Sequence, residues 1–98
     1  MMTERRFHVY LLASGNHGTL YLGITSNLPD RIHQHKSHVF PGFSARYGVD
    51  RLVWYQEHQT ALEAIECEKK MKKWRRDWKI KVIEEMNPDW SDLYPTLA

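Results

Sequence analysis

Cysteine is nearly absent from the 98-residue chain. Cys67 stands alone, which excludes an intrachain disulfide or a cysteine-based zinc cluster and fits a reducing compartment. Long apolar runs are missing too. The longest, Val9 to Ala13, falls far below the roughly 20 residues of a membrane helix and is too short for the apolar region of a secretory signal. The cytoplasm is therefore the expected location, with no membrane partner. A strong charge of one sign is also lacking, since 14 Lys and Arg against 12 Asp and Glu leave +2, and this bulk balance decides little about partners. No repeats, low-complexity stretches or interdomain linkers are visible. Length and a 42% hydrophobic content predict one domain over residues 1–98, with a core over about 6–86 and a docking tail over 87–98, as a monomer or weak dimer.

What is present has a readable order. Phe7 to Leu12 and Thr19 to Thr25 alternate with period two around the turn-rich Ser14-Gly15-Asn16-His17-Gly18, so the pair predicts a β-hairpin. Phe7, Val9 and Leu11 share one apolar face with Leu20, Leu22 and Ile24, while His8, Tyr10, Tyr21, Gly23 and Thr25 point the other way. A turn centred on Gly15-Asn16 would set Tyr10 directly opposite Tyr21. Asn27 caps a helix that runs to about Ser37, with Pro29 and Asp30 in its first turn. Leu28 and Ile32 form its buried stripe, and Arg31 and His35 fall together on one flank of that stripe, able to lean toward the sheet. Val39 to Gly48 has no period and predicts a loop, and Arg51 to Glu57 predicts a third strand.

Thr60-Ala61-Leu62-Glu63 has the spacing of a capping box, and a helix follows to about Trp74. Ala61, Ala64, Ile65 and Met71 form its apolar arc, with Glu68 in the middle of that arc. A further helix from about Arg75 to Met86 is stopped by Asn87-Pro88, and Trp90, Leu93 and Tyr94 then form the docking tail. The order is strand, strand, helix, strand, helix, helix, an α/β pattern of the α+β type. Lys72, Lys73, Arg75, Arg76 and Lys79, interleaved with Trp74 and Trp78, make a segment able to neutralise phosphates, although a basic run is also what a solvated helix surface looks like. A carboxylate facing a core must find a cation, a metal or several donors. Glu68 can pair with Lys72 one turn on, or hold Mg²⁺ or Mn²⁺ beside the tyrosine-bearing sheet. His33, His35 and His38 lie close in sequence, but His33 and His35 diverge on a helix, and no cysteine or HExxH pattern supports zinc.

Taken together, His8-Val9-Tyr10, Tyr21-Leu22-Gly23, Gly23-Ile24-Thr25, Asn27-Leu28, Arg31, His35, Glu68-Lys69-Lys70-Met71-Lys72 and Asn87-Pro88-Asp89-Trp90-Ser91-Asp92-Leu93 resemble the GIY-YIG nuclease superfamily, and in particular its small stand-alone bacterial members. The chain departs from the family pattern at His8, where glycine is usual, and at Val9 and Leu22, where isoleucine is usual. The resemblance implies a three-stranded antiparallel sheet flanked by helices. It also implies divalent-metal-dependent endonuclease activity on DNA, of the kind used in repair or recombination. Glu68 would hold one Mg²⁺ or Mn²⁺ ion with no organic cofactor, and Arg31 would neutralise the phosphoryl oxygens. Tyr10 would act as general base or position the attacking water, with Tyr21 and His35 assisting. His8 and Gly23 accompany this set, Asn27 matches the start of the family's helix, and Asn87 is the candidate for a late asparagine near the site. The competing expectation is a nucleic-acid-binding or adaptor module of the same fold that does not cut.

Overall fold

A computed structural model describes residues 6–37 and 47–97. Strands β1 (Phe7–Ala13) and β2 (Leu20–Thr25) are followed by α1 (Leu28–Lys36), β3 (Arg51–His58), α2 (Ala61–Lys72) and α3 (Arg76–Met86), and a short 3₁₀ turn spans Tyr94–Leu97. The sheet is antiparallel with order β2-β1-β3, so β1 lies at its centre. This is the element order and sheet that the sequence predicts. Most of the loop expected over Val39 to Gly48 lies outside the described residues, as does His38. Among the described residues no helix is long and apolar enough to cross a membrane.

Alternation builds the first core. Val9, Leu11 and Ala13 are fully buried beneath Ala64 and Met71 of α2, Ile83 of α3 and Trp90, with Leu20, Leu22 and Ile24 packed at the side. The opposite face is covered as well. Tyr10 and Leu12 pack there with Leu28 and Ile32 of α1, Val49 and Leu52, and Leu93, Tyr94 and Leu97 close over them. The tail thus reaches both faces, with Trp90 on one side and Leu93 onward on the other. It is tied to β3 by a Leu93 N–H to Leu52 C=O bond of 2.8 Å and by Asp92, which accepts from Leu52 N–H and ion-pairs with Lys36 of α1.

The hairpin register differs from the expectation by two residues. Tyr10 pairs with Gly23 and Leu12 with Tyr21, so the tyrosines keep a common face but sit diagonally. Tertiary contacts to the turn account for this. Ser14 N–H bonds to Thr19 C=O, Arg76 donates to the His17 and Gly18 carbonyls at 2.7 Å, and the His17 ring stacks on Trp90. A bulge between Leu11 and Leu12 leaves Val53 as the extra residue of β3, and the Asn87 amide donates to its carbonyl at 3.2 Å. A buried carbonyl beside a disrupted ladder needs such a partner.

The buried stripe of α2 is also rotated from the expected one. Ala64 and Met71 are buried, but Ala61 is exposed and Ile65 is 39% exposed. Cys67 takes the inner position between them, because the helix leans on the sheet through its Ala64-Cys67-Met71 row.

Candidate active site

Local chemistry at the end of β2 fixes what α1 presents. Asn27 adopts extended backbone and its side chain accepts from Asp30 N–H, capping the helix as expected. Thr25, 8% exposed, holds Asn27 from behind: its hydroxyl accepts from Asn27 N–H at 3.0 Å and donates to Asn27 C=O at 3.2 Å. With its start clamped to the strand, α1 directs His35 at the sheet. The sequence places Thr25 on the tyrosine face and within the Gly23-Ile24-Thr25 fragment, and Thr two positions before a capping Asn is also a recognisable local clamp.

Tyr10 and His35 are both buried and hydrogen-bonded, hydroxyl to Nε2, at 3.0 Å. Tyr21 completes a three-ring cluster, 6.5 Å from Tyr10 and 5.4 Å from His35 between centroids. Gly23 makes the arrangement possible. A Cβ there would lie 2.4 Å from both Cζ and the hydroxyl of Tyr10, so the ring occupies the space that any side chain at this position would fill. Face and spacing predict that the tyrosines and His35 come together, and the resemblance adds Gly23 to them; the close approach of the Tyr10 ring gives the physical need for glycine.

Electrostatics sets the protonation states. Burial pushes the Tyr10 phenol far above its ordinary range, the Tyr21 phenol adds to the rise, and the Arg31 guanidinium beside the hydroxyl works against it. Burial lowers His35, and Arg31 lowers it further. Near neutral pH the pair is therefore a phenol and a neutral imidazole. A guanidinium only donates; with Arg31 facing the Tyr10 oxygen, that oxygen accepts from Arg31, and the phenol O–H donates to His35 Nε2. Such burial disfavours a phenolate, so the general-base role that the resemblance implies for Tyr10 would have to run through the neutral phenol.

Glu68 enters from α2. Its side chain is only 15% exposed and its Oε2 lies 2.8 Å from Lys72 Nζ. The bond to Glu68 raises Lys72, and the Tyr21 phenol is near enough to add to that rise. The Glu68–Lys72 pair anticipated as an alternative to a metal site thus forms, but within electrostatic reach of the tyrosine cluster rather than away from it. Beside Arg31, a cleft of 280 Å³ is lined by Phe7, Ile24, Thr25, Ser26, Ala61 and Ile65. The two α2 residues expected in the core therefore form one wall of this opening.

Among the described residues no group of three His, Cys, Asp or Glu side chains is placed to hold a metal, which disagrees with a pre-built protein cage. The donor set does fit a loosely held magnesium or manganese ion. Such ions keep several waters and bind through one or two carboxylates together with substrate phosphate. Glu68 already faces a cation, the ammonium of Lys72, whose side chain is largely exposed.

Other expected residues lie elsewhere. His8 shares the tyrosine face but leans toward β3, its ring against Tyr55 and its Nε2 3.8 Å from Glu57; burial lowers its pKa and Glu57 opposes the fall. Asn87 is not at the cluster. Its amide is consumed by Val53 C=O, Ser91 C=O and Ser91 N–H, a structural role in holding the tail. Of the basic residues expected on nucleic acid, Arg76 is committed to the hairpin turn, Lys72 pairs with Glu68, and Arg75 lies 3.8 Å from Asp77 on the surface. Lys73 and Arg75 are exposed, and Lys79 is half-buried.

Comparison with known proteins agrees with this architecture. The family model described as the GIY-YIG catalytic domain matches residues 6–81. The solution NMR structure of the UPF0213 protein BH0048 from Bacillus halodurans superimposes with a TM-score of 0.55 at 24% identity, covering 89% of this chain and 92% of that one. That likeness shows the fold. No match is found among curated proteins.

Proposed function

The chain belongs to the GIY-YIG catalytic-domain family, and from that premise we propose that it is a divalent-metal-dependent endonuclease hydrolysing DNA phosphodiester bonds with one metal ion. The observation that carries the reading is the convergence of a phenol, an imidazole and a guanidinium at one end of the sheet, with the Glu68–Lys72 pair in reach of Tyr21.

Glu68 would hold the ion, whose contribution is charge neutralisation at the scissile phosphate. Arg31, with five N–H donors in a fixed fork, has enough donors to steady the Tyr10 oxygen and still meet phosphoryl oxygens as charge builds on them. Tyr10 needs no phenolate to accept a proton. Its oxygen takes one from the attacking water while its own hydroxyl proton passes to His35 Nε2 along the 3.0 Å bond, so the phenol stays neutral and the imidazole becomes charged. Tyr21 borders both rings and helps to orient the water. Gly23 and Asn27 act through position, the first by admitting the Tyr10 ring and the second by fixing the start of α1.

The test is cleavage of labelled duplex, branched and single-stranded DNA and of RNA in Mg²⁺, Mn²⁺ or EDTA, with Glu68→Ala as the control for contaminating nuclease. Metal-dependent cutting of DNA that disappears in Glu68→Ala is the expected result; cutting that survives the substitution removes Glu68 as metal ligand. Salt-sensitive binding without cutting in either metal would favour the non-catalytic module, which the existing Glu68–Lys72 pair would also suit.

A further inference from the structure

On the far side of α2 from Glu68 lies an aromatic groove that the hydrolytic site does not use. Two adjoining hollows of 410 and 420 Å³ lie along α3 where α2 ends, the first reaching β3 at Trp54 and Gln56, and they share Trp74, Val82 and Glu85. Met71 and Met86 line the first, and Trp78, 54% exposed, lines the second. Trp74 and Trp78 meet edge to face at 6.1 Å. An indole left this open costs solvation and adds little to the core, while its face is available for stacking. Lys70 and Lys81 stand on the rims, with Glu85 as the acid among the lining residues.

A band of positive charge connects this groove to the candidate active site. Stepping round the last turns of α2 from Glu68 at about 100° per residue, the basic side chains met in turn are Lys72, Lys69, Lys73 and Lys70, with the exposed Glu66 one turn back between the last two; Trp74, just past the helix end, lines the groove together with Lys70. All four lysines are exposed. The path from Glu68 to Lys70 turns through about 200°, roughly 19 Å round a helix about 11 Å across. An acidic protein segment would match the lysines but would leave the paired indole faces without special purpose. A polyanion that carries a flat ring on each unit matches both features.

We propose that the Lys72-Lys69-Lys73-Lys70 band and the Trp74–Trp78 groove bind a single-stranded segment of DNA, with an unpaired base stacked on Trp78 as the strand leaves the hydrolytic site. The inference rests on the nuclease reading for its ligand class, and it narrows the substrate to DNA with an unpaired arm next to the cut.

Oligothymidylate titrated into the full chain in EDTA tests it by intrinsic tryptophan fluorescence and by anisotropy of a labelled strand. Fluorescence should be quenched; Trp78→Ala should bind roughly tenfold more weakly and Trp78→Phe close to wild type, as base stacking on an aromatic ring predicts, while blunt duplex binds both alike. Lys73→Glu should flatten the salt dependence. Unquenched fluorescence at saturation, or equal binding by wild type and Trp78→Ala, overturns the proposal. So does tighter binding of oligouridylate, or a Trp78-dependent dimer in sedimentation, which would assign the groove to RNA or to a second copy. Because binding is measured without metal, its failure leaves cleavage in Mg²⁺ untouched. Failure of the nuclease reading leaves the binding measurable.

Discussion

On one face of the sheet Val9, Leu11 and Ala13 meet Ala64, Met71, Ile83 and Trp90; on the other, at the same depth, Tyr10 and His35 stand among Leu12, Leu28 and Ile32. The first face is apolar in nearly every contact, and burial alone explains it. The second places a hydroxyl and an imidazole where little solvent reaches, which is costly unless each finds a partner. The hydroxyl–Nε2 bond and Arg31 supply those partners. A sheet of three strands thus differs by face: the α2–α3 side holds the molecule together, and the α1 side gives up some of that stability to fix a buried hydroxyl–imidazole pair.

Substitutions at neighbouring positions of β1 and β2 should separate the two roles. Leu11→Ala, on the apolar face, removes a fully buried side chain and should cost about 2–5 kcal/mol in urea unfolding, while the folded fraction still cuts at a near-normal rate. Next in size, Gly23→Ala forces the Tyr10 ring away from a Cβ that would lie 2.4 Å from its hydroxyl. Overpacking should cost about 1–3 kcal/mol, and displacing the ring should lower kcat on the order of 100-fold. Should Gly23→Ala lose only stability, or Leu11→Ala lose only activity, the division by face would be wrong.

Much of this was legible in the sequence because it was local. The Asn27 cap and the Arg31–His35 flank follow from one helix, and the common face of Tyr10 and Tyr21 from period two. What failed depended on distant partners. The hairpin slipped by two residues because Arg76 and Trp90, far along the chain, hold its turn. The same contact engages Arg76, one of the residues expected on phosphate, at the hairpin turn. Asn87 looked like a site residue because a bulge at Val53, which no pattern announces, was needed to explain it. The arc of α2 was misplaced because amphipathicity gives a helix an apolar side, but its rotation is settled by what it packs on; Ala61 and Ile65 moved to the cleft wall and Cys67 moved in. Burial of Tyr10 was also hidden, since tyrosine in an alternating strand carries no sign of what covers it.

Tyr10→Phe sharpens the comparison more finely, because shape and apolar contacts are kept and only the hydroxyl is lost. Leaving His35 Nε2 without its donor should cost about 1–2 kcal/mol in unfolding free energy, well under Leu11→Ala, but cleavage should fall steeply if the proton relay runs through this oxygen. Cleavage near the wild-type rate would take Tyr10 out of the reaction and leave the α1 face a structural network.

The smallest effect is in pH. His35 is held neutral by burial and by Arg31, below its ordinary 6.5, so near and below that pH the unfolded chain binds the proton better than the folded one. Stability must therefore rise with pH through this window and be lost as pH falls below about 6.5. His8 is lowered as well, by burial, and contributes the same sign. In thermal melts between pH 5 and 8, His35→Gln should remove part of the acid-side fall in Tm, with the remainder left to His8. The same Leu11→Ala background, titrating nothing on its own face, should shift the whole curve down without changing its slope. An unchanged slope in His35→Gln would mean that this imidazole is not held neutral in the fold, and the relay from Tyr10 would lose its acceptor.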